Sequence, residues 1–143
     1  DLFIEQFLVA SIVKVIYTSF DVLVNKLGYP AIPALMELYA SGELAEVLKL
    51  AANAGIGKVF QKNASPTCQY GIAANFDYVI GSDIAEKAMQ IIEKIKNGTF
   101  AKELDKEGKI GYPTVRKLWE IVDTKNLNEA HTLINNLFRW REF

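Results

Sequence analysis

Apolar residues recur along the whole chain at helical spacing, and nowhere do they alternate with polar ones over the length of a strand. The longest run opens the chain. Leu2, Phe3, Ile4, Phe7, Leu8, Val9, Ala10, Ile12 and Val13 begin a pattern that predicts one helix from about Leu2 to Leu27, ended by Gly28. At ~1.5 Å per residue it is roughly 40 Å long. It reads as a doubly buried core helix, long enough for a partner chain to cover part of it. Gly28-Tyr29-Pro30-Ala31-Ile32-Pro33 predicts a turn, with Pro33 opening a second helix to about Ala52. That helix is apolar at Leu35, Leu38, Leu44, Val47, Leu48 and Ala51, and Gly42 inside it predicts a kink or a close contact. Ala54-Gly55-Ile56-Gly57 ends it, and the pattern from Lys58 to Ala64 is irregular.

Punctuation is clearer further on. Ser65 as N-cap and Pro66 in the first helical place start a helix that stops at Gly81. Ser82 caps the next, lined by Ile84, Ala88, Ile91, Ile92 and Ile95 and closed by Asn97-Gly98. Thr99 caps a short helix to about Lys106, and Gly108 to Tyr112 is a loop. Pro113 opens a helix to about Val122, and Asn126-x-x-Glu129 is a capping-box-like start for the last. There is no internal repeat and no low-complexity tract. The expected fold class is all-α.

Composition narrows this picture. The 143 residues suffice for one domain with a real core, and 50% apolar with 23% charged residues marks a globular chain. The net charge is -1, with Lys and Arg spread along the chain, so no basic stripe invites nucleic acid. The single cysteine, Cys68, excludes an internal disulfide and any CxxC site, and the single histidine, His131, excludes a two-histidine zinc site. Together these point to a reducing cytoplasm. The run from Phe7 to Val24 is apolar enough to raise the question of a bilayer. Lys14 and Asp21 would each cost roughly 2.5–3.5 kcal/mol at its centre, and no signal-peptide flank or cleavage site is present. No membrane partner is expected. The chain begins with Asp1 rather than Met, as if cut from something longer.

The chemistry on offer is mostly acid. Asp1 and Glu5 stand four residues apart on one face of the first helix, among apolar neighbours. Two readings stay open: acids favoured by the dipole at a helix N-terminus, or half of an oxygen-donor site suited to Mg²⁺. Glu37 lies on another apolar helix, and Ser65 presents a hydroxyl at a helix N-terminus, where anions are favoured. Gly55-Ile56-Gly57 follows a helix and lacks a third glycine, so it fails the dinucleotide context. His131 reads as a surface or capping residue and Cys68 as an inert packed thiol. Trp119, Trp140, Phe138 and Tyr112 read as core and interface aromatics.

At these residues the sequence resembles the C-terminal domain of ketol-acid reductoisomerase (acetohydroxyacid isomeroreductase) in its short form. The family's opening Asp-Leu-Phe-Gly-Glu-Gln is matched by Asp1-Leu2-Phe3-Ile4-Glu5-Gln6. Its Gly-Tyr turn, followed nine residues after the Gly by a Glu, is matched by Gly28-Tyr29 and Glu37. Its Ser-x-Thr-Ala-Glu-Tyr-Gly appears as Ser65-Pro66-Thr67-Cys68-Gln69-Tyr70-Gly71, and its Gly-x-Phe-Ala-x-Glu as Gly98-Thr99-Phe100-Ala101-Lys102-Glu103. Its tryptophan near the C-terminus corresponds to Trp140.

The resemblance implies a knot-prone helical domain of the type shared with the 6-phosphogluconate dehydrogenase C-terminal domain, pairing as a homodimer. It implies two Mg²⁺ ions, and a separate amino-terminal Rossmann domain, outside this chain, that holds NADPH. The implied reaction is alkyl migration in a 2-acetohydroxy acid followed by reduction, a step of branched-chain amino-acid biosynthesis. Asp1 then matches the metal-bridging aspartate and Glu5 its companion. Glu37 matches a ligand given to the partner chain's site, and Ser65 a substrate-binding serine. Ser41 stands where the family has a second Glu, one turn after Glu37, and Ile4 where it has a small residue. One fewer anionic ligand implies a weak or partial Mg²⁺ site. The alternative is a non-catalytic helical dimerisation module that keeps the packing without the chemistry.

Overall fold

The computed structural model describes residues 1–138, all of them in helices or the short turns between helices. The opening apolar run forms one helix, α1 (Leu2–Lys26), and Gly28 at φ +73° turns the chain after it. Two stretches of α1, Glu5–Val9 and Asp21–Lys26, are wound as π-helix. The second helix, α2 (31–40), ends in a third π-wound stretch, Met36–Ala40.

Here the expected continuous helix from Pro33 to Ala52 is not found. Gly42, at φ +85°, ends α2 rather than kinking it, and a separate α3 (Glu43–Ala54) starts on its far side. An L-residue side chain disfavours that conformation, so glycine both permits and enforces the break. Pro33 lies inside α2, which begins two residues earlier after the extended Pro30. The stretch read as irregular is also a helix, α4 (Ile56–Asn63). It is separated from α3 by Gly55 at φ +88° and seats the buried Val59.

Ser65 and Pro66 start α5 (Pro66–Ile80) as the sequence indicates, the Ser65 hydroxyl accepting the Cys68 N–H at 3.2 Å. Asp83, not Ser82, is the residue before α6 (Ile84–Lys96). Its stripe of Ile84, Ala88, Ile91, Ile92 and Ile95 is the half-buried face of that helix. The seventh helix, α7 (Thr99–Lys109), runs longer than expected. The Asn97 side chain, rather than Thr99, caps its start by accepting the Thr99 N–H at 2.9 Å. Glu107 ties α7 to α8 (Pro113–Val122), accepting from the backbone N–H and the hydroxyl of Thr114 at 3.0 and 2.7 Å. The last helix, α9 (Lys125–Leu137), is capped by Thr124, whose hydroxyl accepts the Leu127 N–H, and not by Asn126.

The core is small and lies at one end of α1. Phe20 of α1, Leu35 of α2, and Leu127, Ala130 and Ile134 of α9 form its buried cluster, with Tyr39 and Phe138 packed against it. At the other end of α1, residues 2–9 rest on α6. Between these anchors α1 lies open. Phe20 is its one buried side chain, so the reading as a doubly buried core helix does not hold within a single chain. By length and composition α1 could also cross a membrane.

Apolar side chains are likewise bare on α5, where Phe76 is 75% and Tyr78 86% exposed. The total exposed area is 11138 Å² for a 16.0 kDa chain. A compact monomer of that mass exposes roughly 7,400 Å².

Candidate metal and substrate site

The acids of the first turn are held together by the helix itself. The Glu5 N–H donates to the Asp1 carbonyl at 3.1 Å, which places both carboxylates one turn apart at the tip of α1. Both side chains are exposed, and neither forms an ion pair among the described residues. Beside them Phe3 and Phe7 stack at 5.3 Å, and this turn packs against α6. The neighbouring Gln6 carries a buried Nε2 with no hydrogen-bond partner. A buried amide left so costs about 1–3 kcal/mol. The turn therefore offers two hard oxygen donors outside any ion pair among the described residues. Such carboxylate oxygens are the donors a hard divalent cation takes.

Glu37 is exposed on α2, within the π-wound stretch Met36–Ala40. The chain does not bring it to Asp1 and Glu5. Among the described residues no group of three or more His, Cys, Asp or Glu side chains could hold a metal ion. Position 41 ends the same turn, and the Ser41 Oγ accepts the Glu43 N–H at 3.3 Å, bridging the break at Gly42. Its hydroxyl serves the turn between α2 and α3.

Ser65 stands at the start of α5, its oxygen engaged by the Cys68 N–H and its own O–H proton left to donate. Cys68 is exposed rather than packed. Trp119 is also about half exposed, on a small cleft with Tyr17, Tyr39 and Asp123. Trp140 lies outside the described residues.

His131 is where sequence reasoning fell short. It is half-buried on α9 and its Nε2 meets the Tyr39 hydroxyl of α2. Burial pushes the Tyr39 phenol above its ordinary value of 10.0, and the nearby Asp123 carboxylate adds to the rise. A histidine at the right helical phase to join Leu127, Ala130 and Ile134 on the core side of α9 was the available signal.

π-helical winding is the second feature that sequence did not foretell. It occupies well under 1% of residues in ordinary proteins and is frequent at functional sites. In this chain two of its three stretches carry Glu5 and Glu37.

An all-helical domain with acidic residues on widened helical turns and large bare apolar faces is thus the class that the geometry defines. Residues 1–140 match the family of the ketol-acid reductoisomerase C-terminal domain, and the chain belongs to that family. It is 34% identical over 141 residues to a protein of Saccharolobus solfataricus named "Putative ketol-acid reductoisomerase 3", covering 97% of this chain and 41% of that one. It is 29% identical over 143 residues to the ketol-acid reductoisomerase (NADP(+)) of Saccharopolyspora erythraea, covering 99% of this chain and 42% of that one. In structure it is similar to an NADH-preferring ketol-acid reductoisomerase from an uncultured archaeon. The TM-score is 0.83 at 29% identity, over 96% of this chain and 41% of that one. The chain therefore spans about two-fifths of the length of the relatives it matches, as their C-terminal domain.

Proposed function

We propose that this chain is the metal- and substrate-binding half of a ketol-acid reductoisomerase. Asp1 and Glu5 of one copy and Glu37 of a second copy hold Mg²⁺, and the Ser65 hydroxyl donates to the substrate. A metal held there would supply Lewis-acid polarisation to a bound 2-acetohydroxy acid. An amino-terminal Rossmann domain in a longer parent chain supplies NADPH. The observation that carries this reading is the placement of Glu5 and Glu37 on π-wound turns.

The second copy is part of the proposal. The exposed area exceeds that of a compact monomer by roughly 3,700 Å². Obligate dimers bury ~2,000 Å² and above over both partners, about 1,000 Å² and above per chain, so that excess leaves ample surface for one. A homodimer would cover α1 and α5 without recourse to a bilayer, consistent with a cytoplasmic protein. It would also give Glu37 a route to the acids of another chain. Because Ser41 is neutral, we expect at most one weakly held Mg²⁺ per site, since this ion needs only one or two protein carboxylates.

A second reading, a helical dimerisation module without catalysis, is favoured by Ser41 itself, whose hydroxyl caps a turn. Turnover of a 2-acetohydroxy acid with NADPH, Mg²⁺ and the Rossmann domain present decides between the two. Product formation that falls in Asp1→Asn supports the enzyme. Intact dimers with no turnover support the module.

A further inference from the structure

We propose that Tyr39 and His131 are positioning residues that fix the wide turn carrying Glu37, and so set how that carboxylate reaches a divalent cation. The inference rests on the reading above that Glu37 is a ligand.

Residues 36–40 are wound so that the Ser41 N–H donates to the Met36 carbonyl, five residues back, at 3.2 Å. Such a turn is wider than an α-helical one, so regular helix geometry does not by itself fix the direction of the Glu37 side chain. The helix stops immediately afterwards, at Gly42. Its apolar side chains Met36, Leu38, Tyr39 and Ala40 pack against the core. Leu35, fully buried, anchors its start against Phe20 and α9. Near its end the Tyr39 hydroxyl meets His131 Nε2, 92 residues away in sequence, with the two rings 5.5 Å apart. His131 shares its helix with the buried Leu127, Ala130 and Ile134, so the strut stands on the firmest part of the molecule. Glu37 lies between these two anchors. Removing the hydroxyl but keeping the ring would leave these apolar contacts in place and take away only the polar tie to α9.

The test is Mn²⁺ affinity, by calorimetry on the intact protein. Glu37→Gln is expected to weaken binding, and Tyr39→Phe to weaken it measurably but less than Glu37→Gln does. Adding Tyr39→Phe to Glu37→Gln should cause no further loss, because both act through one carboxylate. His131→Gln, which keeps a group able to pair with the Tyr39 hydroxyl, should retain more affinity than His131→Ala. A purely structural role would lower the thermal midpoint in all these variants and leave Mn²⁺ affinity unmoved. That result overturns the proposal. If Glu37→Gln weakens binding and neither Tyr39→Phe nor His131→Ala does, the positioning role is wrong while the ligand assignment stands. If Glu37→Gln itself has no effect, the ligand assignment falls and the positioning role falls with it.

Discussion

The Tyr39 hydroxyl meets Nε2 of His131 across 92 residues of chain, and this contact joins α2 to α9 directly beside the buried cluster of Phe20, Leu35 and Ile134. The fold closes there and nearly nowhere else. Seven apolar residues are buried among those described, and five of them belong to that one cluster. Leu35→Ala should therefore lower stability by about 2–5 kcal/mol, the usual cost of a cavity in a packed core. Chemical unfolding monitored by circular dichroism measures it. A loss below the lower bound would mean that the cluster is not where this chain is held together.

A bare helix makes the opposite prediction. Phe76 is 75% exposed on α5, so Phe76→Glu removes nothing that a single chain packs. Placed in a dimer interface it buries an unpaired carboxylate instead, which is strongly unfavourable. The expected outcome is a shift from dimer to monomer in sedimentation equilibrium with helix content retained. An unchanged dimer would place α5 outside the interface.

Much of this was legible in the sequence. Capping serine, proline in the first helical place and glycine at the end mark α5 without ambiguity, because each acts locally. The isoleucine stripe of α6 was readable for the same reason. Gly42 was not, since a glycine within an apolar helical pattern can be tolerated, can kink or can stop the helix. Here the pattern simply resumes in a new helix after the stop. The acids Asp1, Glu5 and Glu37 stood out because acids are rare on apolar helices. The π winding beneath them depends on hydrogen-bond shifts that periodicity does not record. His131 was misread as a surface residue because its partner, Tyr39, belongs to a distant helix.

Acid should loosen the join between α1 and α9. The Asn25 amide donates to Asp21 at 3.0 Å and holds its carboxyl below the ordinary value of 3.8, opposed by partial burial and assisted by Lys26 and Lys14. The Asn25 carbonyl oxygen in turn accepts from the Asn126 amide of α9 at 3.1 Å. A folded-state value below the unfolded one means that folding favours the ionised form. The stabilisation is then present above pH 3.8 and is lost as pH falls through the folded-state value. Asp21→Asn should be less stable than the parent chain near neutrality, and the gap should close below about pH 4. Urea midpoints across that range check it. A gap that persists at the acid end would contradict the assignment.

Metal affinity should respond to position 41. Ser41→Glu adds a carboxylate one turn after Glu37 and should raise Mg²⁺ affinity in calorimetry. It also removes the hydroxyl that accepts the Glu43 N–H, a hydrogen bond worth about 0.5–1.5 kcal/mol. A drop in thermal midpoint with no gain in affinity would show that the turn does not face the metal.

The central claim is that the site is built from two copies, Asp1 and Glu5 from one and Glu37 from the other. Purified heterodimers of Asp1→Asn and Glu37→Gln chains test it most directly. If the site is shared, one of the two sites in each heterodimer collects both substitutions and the other collects none. Mn²⁺ calorimetry should then find half the parent protein's capacity at the parent's affinity, while either variant homodimer binds weakly at both sites. Heterodimers that bind no better than the two homodimers would contradict the shared site.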